Sequence, residues 1–167
     1  VMKQLGELCP PDRVLVTNTS TLSVTEIAAA SGRPDRVLGM HFMRPITRTP
    51  VVEMVRGTAT SDATYEHALA LAHALEKTPI RVAERPGYVV TRVILPLLNE
   101  AIQVVQEGVA SAEDVDLALR LAHQFRVGPL EYADRIGLDK VLGWMEHLHR
   151  ELGGERYKPC LLLRELV

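Results

Sequence analysis

A histidine and a glutamate twelve residues apart, His41 and Glu53, are the side chains of this sequence best suited to chemistry. Glu53 stands among Val51, Val52, Met54 and Val55, and a carboxylate in such apolar company stays ionised only when a cation or a hydrogen-bond donor meets it. His41 closes a separate apolar run, VLGMH, and is the nearest candidate partner. An imidazole backed by a carboxylate moves protons near neutral pH, because the carboxylate fixes the tautomer and stabilises the imidazolium. The pair points to an acid/base enzyme. The plainer alternative is a strand-end histidine satisfied by a backbone carbonyl, with Glu53 on an exposed edge strand.

Other polar residues gather upstream. Thr17, Thr19, Ser20, Thr21 and Ser23 form a run of small hydroxyls whose default use is turn and cap hydrogen bonding. Ser23 takes the cap of a following helix, which leaves Ser20 free at the carboxyl end of an expected strand, where ligands bind in open α/β sheets. Asn18 reads as a turn residue, with a cofactor contact as the second option. Arg44, Arg48 and Arg56 lie close in sequence to His41 and Glu53 and would suit phosphates, but the plainer reading, solvated loop arginines, is preferred for them. His67, His73, His123, His147 and His149 show no metal-ligand spacing, and no metal is expected.

The elements that must carry these residues are α/β at first and helical later. Strands are expected at 13–17, 37–41, 51–55 and 79–83, on a mostly parallel sheet. Between the first two lies a short helix with Ser23 and Glu26 in capping-box spacing and Gly32 as its stop. Between the last two lies a longer helix, from Ser61 to about Glu76. After Gly87 the pattern is helical throughout. Val90, Val93, Ile94, Leu97, Leu98, Ala101, Ile102 and Val105 mark a wide apolar face, and further helices start at Ser111 and Pro129 and span 138–152. The stretch 88–107 contains Arg92, Asn99 and Glu100 and so reads as a core helix, not a membrane span.

Composition bounds the reading. Apolar residues make up 47% and charged residues 24% of the 167, as in ordinary globular proteins, and a net charge of −2 gives no reason to expect nucleic acid or an anionic membrane. Cys9 and Cys160 have neither metal nor redox spacing, and the first residues carry no secretory signal pattern, so a cytoplasmic location is expected. The glycine-rich G-x-G-x-x-G turn of a doubly wound dinucleotide domain is not among these residues. The sequence therefore reads as the back half of such a domain, residues 1–84, followed by an all-helical domain, 85–167.

Six motifs in fixed order carry a family resemblance: NTSTLSVTEIA (18–28), GMHFMRP (39–45), VVEMVRG (51–57), KTPIRVAERPGYVVTR (77–92), LPLLNEAIQVVQEGVAS (95–111) and VGPLEYADRIGLD (127–139). Together they resemble L-3-hydroxyacyl-CoA dehydrogenase across nearly the whole chain. The resemblance implies the end of a Rossmann-type NAD-binding domain joined to an all-α helical dimerisation domain. It also implies oxidation of a 3-hydroxyacyl-CoA to the 3-ketoacyl-CoA with NAD as hydride acceptor, a step of fatty-acid β-oxidation. By the same resemblance His41 is the general base, Glu53 its partner and Ser20 the active-site serine. The twenty-one positions from Ser20 to His41 and the twelve from His41 to Glu53 match the family spacing.

Two positions depart from the family pattern. Arg44 and Thr91 stand where the family often has asparagine. Thr91 keeps a hydroxyl that can serve the substrate side, and Arg44 adds a cation beside the nicotinamide edge. The implied partners are a 3-hydroxyacyl-CoA and a second copy of the chain, with no nucleic acid and no membrane. Two alternatives stay open: a non-catalytic, crystallin-like or dimerisation fragment of the same fold, and the wider β-hydroxyacid dehydrogenase group. That group uses a lysine base in its helical domain, whereas no lysine lies between Lys77 and Lys140.

Overall fold

A computed structural model describes all residues, 1–167. The chain divides into two compact units, Val1–Val89 and Val90–Val167.

The first unit contains helix α1 (Met2–Leu8), strand β1 (Leu15–Thr17), helix α2 (Val24–Ala29), strands β2 (Val37–Phe42) and β3 (Val51–Val55), helix α3 (Asp62–Ala74) and strand β4 (Thr78–Val82). The strands form one sheet in the order β1-β2-β3-β4. β1 pairs with β2 and β3 with β4 in parallel, as a mostly parallel sheet requires, but β2 and β3 are antiparallel, so the sheet is mixed at its centre. The physical reason is the connection. Residues 43–50 contain no helix to carry the chain back across the sheet, and a short link returns it alongside the strand it has just left.

Two serines start the helices as their spacing predicts. Ser23 Oγ accepts the Glu26 amide, and Ser61 Oγ accepts the Thr64 amide; each cap contributes about 1 kcal/mol. Period-two alternation then sorts the strand side chains onto two faces. Leu38, Met40, Val52 and Met54 bury against Tyr65, Ala68 and Ala72 of α3. On the other face Leu15 and Val37 pack with Ala28 of α2, while Val55 and Val82 pack with Val24 of α2 and with Tyr88. α2 lies tight on the sheet at Gly39. A Cβ there would meet Val24 Cγ2 and Val55 Cβ at 3.0 Å.

The second unit is helical: α4 (Val90–Gln106), α5 (Ala112–His123), α6 (Pro129–Ile136), α7 (Leu138–Leu152) and α8 (Leu161–Glu165), with a short 3-10 turn at Glu155–Tyr157. Its core joins Leu95, Leu98 and Ile102 of α4 to Val141, Met145 and Leu148 of α7, with Leu163 of α8. The buried face of α4 is rotated from the expected one, since Leu95 is fully buried and Val93 is exposed. α8 was not expected from the sequence. Five residues are too few for a periodic pattern to show. Asp116 of α5 caps α6, its carboxylate accepting the Leu130 and Glu131 amides at 2.7 and 2.9 Å. No helix of the chain is long and apolar enough to cross a membrane.

Candidate active site

The sheet register brings His41 and Glu53 together. They stand directly opposite each other on the antiparallel β2/β3 ladder, so their side chains leave the sheet on the same face, opposite the one that packs α3. His41 Nδ1 lies 2.7 Å from Glu53 Oε2. Glu53 is fully buried and His41 is 7% exposed, so this is a desolvated, hydrogen-bonded pair. The other carboxylate oxygen, Oε1, accepts the Val89 amide at 2.9 Å. Nε2 of His41 has no partner within the chain.

Two further residues frame the pair, and the sequence patterns did not single them out. The Tyr88 ring sits 5.7 Å from the His41 ring, tilted by 60°. Burial pushes the Tyr88 phenol well above its ordinary range, and the carboxylates of Glu84 and Glu53 push it the same way. It stays neutral. Glu84 accepts from Ser23 Oγ at 2.7 Å, from the Thr25 amide at 2.9 Å and from Thr25 Oγ1 at 2.5 Å. Burial alone would raise the Glu84 carboxyl, but those hydrogen bonds outweigh it and hold it below its usual value. Both residues follow the last strand in an irregular segment, ERPGYV, where no periodicity marks them. The Pro-Gly pair was the available signal, a turn able to swing a side chain back over the sheet.

Asn18 follows β1, and its Oδ1 accepts the Phe42 amide at 2.9 Å, tying the exits of two parallel strands one residue beyond His41. Ser20 is half-buried between Asn18 and the cap residue Ser23, with no hydrogen bond of its own. Arg44 is exposed, in the loop after β2, and makes no ion pair. Arg56 is not available to a phosphate in the same way: it bonds Asp62 and the Thr60 carbonyl at 2.6 and 2.8 Å and lies over the Tyr65 ring. Thr91 is buried in the first turn of α4, in the helical unit.

A carboxylate-backed imidazole with its second nitrogen open has the geometry to move a proton, and it stands at the carboxyl end of a strand in an α/β sheet, where ligands bind in nucleotide-binding folds. Comparison with known proteins gives the family. Residues 1–85 match the family model "3-hydroxyacyl-CoA dehydrogenase, NAD binding domain", and residues 87–167 match "3-hydroxyacyl-CoA dehydrogenase, C-terminal domain". The chain is 48% identical over 167 residues to the probable 3-hydroxybutyryl-CoA dehydrogenase of Bacillus subtilis, covering 100% of this chain and 58% of that protein. It is 44% identical to the 3-hydroxybutyryl-CoA dehydrogenase of Clostridioides difficile, covering 100% of this chain and 59% of that one. The crystal structure of the (S)-3-hydroxybutyryl-CoA dehydrogenase of Ralstonia eutropha superposes with a TM-score of 0.93 at 41% identity, over 98% of this chain and 58% of that one. The chain belongs to the 3-hydroxyacyl-CoA dehydrogenase family. It spans somewhat under two thirds of the length of these relatives.

Proposed function

We propose that these residues are the proton-transfer part of an NAD-dependent L-3-hydroxyacyl-CoA dehydrogenase. The reaction is reversible oxidation of the 3-hydroxyl to the 3-ketone, a step of fatty-acid β-oxidation, and the names of the relatives favour a short, four-carbon acyl group. One observation carries the reading: a buried imidazole with Nδ1 on a buried carboxylate and Nε2 open.

With Glu53 ionised, Nδ1 of His41 carries the hydrogen and Nε2 presents its lone pair. Nε2 takes the proton of the substrate hydroxyl, and Glu53 stabilises the imidazolium that forms. In the reverse direction Nε2 returns that proton to the ketone oxygen. Ser20 Oγ, free of other bonds, donates to the same substrate oxygen and holds it in line. Thr91 is assigned to the substrate side.

The donor set at the exits of β1 and β2 fits the reactive end of a nicotinamide dinucleotide, since an open imidazole nitrogen, an unbonded hydroxyl and an amide stand at neighbouring strand ends. Asn18, through its remaining amide hydrogens, and Arg44 would hold the cofactor there. When bound, NAD supplies the acceptor for the hydride that leaves C3. Homodimerisation through the helical unit is supported by apolar side chains left exposed on α5, Leu117 at 45% and Leu121 at 74%, one turn apart. The free thiols of Cys9 and Cys160 support a reducing, cytoplasmic location.

The test is a spectrophotometric assay of the intact gene product with acetoacetyl-CoA and NADH. NADH oxidation is expected, with kcat lowered about 10²–10⁴-fold in His41→Ala and KM changed far less. An equal loss in His67→Ala, a change on the exposed side of α3, would falsify the assignment.

A further inference from the structure

We infer that Glu84 is a positioning residue for this reaction: it fastens the 84–89 segment to the start of α2, and so places the Val89 amide on Glu53 and the Tyr88 ring beside His41. The inference rests on the reading of His41 as the base.

Glu84 is the point at which two segments of the site are joined. Its carboxylate takes three donors from the start of α2: the Ser23 hydroxyl, the Thr25 amide and the Thr25 hydroxyl. Thr25 is held in turn by Thr58, whose amide donates to Thr25 Oγ1 at 2.9 Å. Four and five residues after Glu84, Tyr88 and Val89 make the contacts that frame the catalytic pair. Between them the backbone is left-handed twice, at Gly87 (φ 78°) and at Tyr88 (φ 45°). A tyrosine keeps that conformation only while its surroundings hold it there. Glu84 on one side and Val89 on the other supply the hold.

The same carboxylate fixes the segment that bears Ser20. That segment is tied at its start by Asn18 to the Phe42 amide, and at its end by Ser23 to Glu84 and, through a long 3.4 Å bond, by the Leu22 carbonyl to the Tyr88 hydroxyl. Loss of Glu84 therefore loosens both arms of the site at once, the serine on one and the support of Glu53 on the other. Glu84 makes its hydrogen bonds at the start of α2, and so acts on the pair through the segments it fastens. A displacement of about 1 Å at reacting groups costs on the order of 10²-fold in rate.

The experiment compares Glu84→Ala and Glu84→Gln with wild type in the intact enzyme, reading kcat, KM for NADH, melting temperature and the downfield proton resonance of His41 Nδ1–H, assigned by its loss in His41→Gln. Expected is a kcat about tenfold or more lower in Glu84→Ala with KM for NADH within threefold, a shifted or broadened resonance, and recovery to within fivefold of wild type in Glu84→Gln, which keeps the reach and one acceptor oxygen. A kcat within twofold of wild type in Glu84→Ala, with the resonance unmoved, overturns the inference. Should Glu84→Ala not fold, Ser23→Ala/Thr25→Val removes two of the three donors; a smaller loss of kcat with unchanged KM supports the inference, and no loss overturns it. Should the wild type turn over no 3-ketoacyl-CoA, the reading of the activity fails by itself. The resonance then decides the positioning role, a shift in Glu84→Ala supporting it and an unmoved line refuting it.

Discussion

Glu53 and Val89 meet at 2.9 Å, the carboxylate oxygen that does not face His41 accepting the backbone amide of a residue thirty-six positions downstream. A buried carboxylate with one oxygen on an imidazole and the other on a main-chain amide cannot rotate without losing a bond, and leaving either group unpaired costs about 1–3 kcal/mol. The orientation of His41 is thus set from two directions, by the β2/β3 register and by the segment after β4.

This arrangement makes Glu53→Gln informative. A glutamine fits the same space, yet its amide nitrogen can face Nδ1 only when Nδ1 is the acceptor, which moves the imidazole hydrogen to Nε2 and removes the lone pair that the proposed proton transfer uses. We expect kcat to fall by about 10²–10³-fold while the protein remains folded. Steady-state kinetics beside a circular-dichroism melt check it, and a variant with near-normal kcat would remove Glu53 from the mechanism.

Glu84 predicts a pH effect on stability whose sign follows from its hydrogen bonds. Its carboxyl is held below the ordinary value of 4.5 in the folded chain, so over the window beneath that value the unfolded chain binds a proton that the folded chain does not. The stabilisation is complete above the ordinary value and is lost as pH falls through the folded one. The melting temperature of wild type should therefore drop more steeply than that of Glu84→Gln from about pH 5 to about pH 3. Parallel curves for the two proteins would contradict the assignment.

Much of this was legible beforehand, and the reasons are local. β3 at 51–55 and α7 at 138–152 lie where the sequence pattern puts them, because a compact, mostly apolar run and a glycine stop are signals within one element. The His41–Glu53 pairing was also legible, since buried charge demands a partner and few were near. The antiparallel turn between β2 and β3 was not, because strand direction depends on what the connection can span. Glu84 and Tyr88 were hidden for a related reason: their partners, Ser23, Thr25 and His41, lie 47 to 61 residues away, and no periodicity encodes such contacts.

Gly39 offers a test of the packing beneath the site. It lies on the same face of β2 as His41, and a Cβ there meets Val24 of α2 and Val55 of β3 at 3.0 Å, tighter than ordinary contact. Gly39→Ala gains a little through the unfolded chain, about 0.4–1 kcal/mol, but overpacking costs about 1–3 kcal/mol. Net destabilisation of about 1 kcal/mol is expected in denaturant titration. A stabilised variant would mean that α2 moves away freely, and the anchoring of Ser23 and Thr25 on Glu84 would have to tolerate that movement.

Ser20 separates stability from function most cleanly. Its hydroxyl makes no hydrogen bond within the chain, whereas the neighbouring Ser23 both caps α2 and donates to Glu84. Removing a hydroxyl that bonds nothing in the folded protein leaves the folding balance nearly unchanged, within about 0.5 kcal/mol as for surface substitutions away from structural features. In the proposed reaction the hydroxyl meets the substrate oxygen, and removing it there costs the hydrogen bond made, about 0.5–1.5 kcal/mol or more as charge develops. Ser20→Ala should therefore melt with wild type yet show kcat/KM lower by about tenfold, and Ser23→Ala should melt earlier. If Ser20→Ala kept full kcat/KM, the substrate oxygen would have to be held by another donor, and the open hydroxyl at the end of β1 would have no part in the reaction.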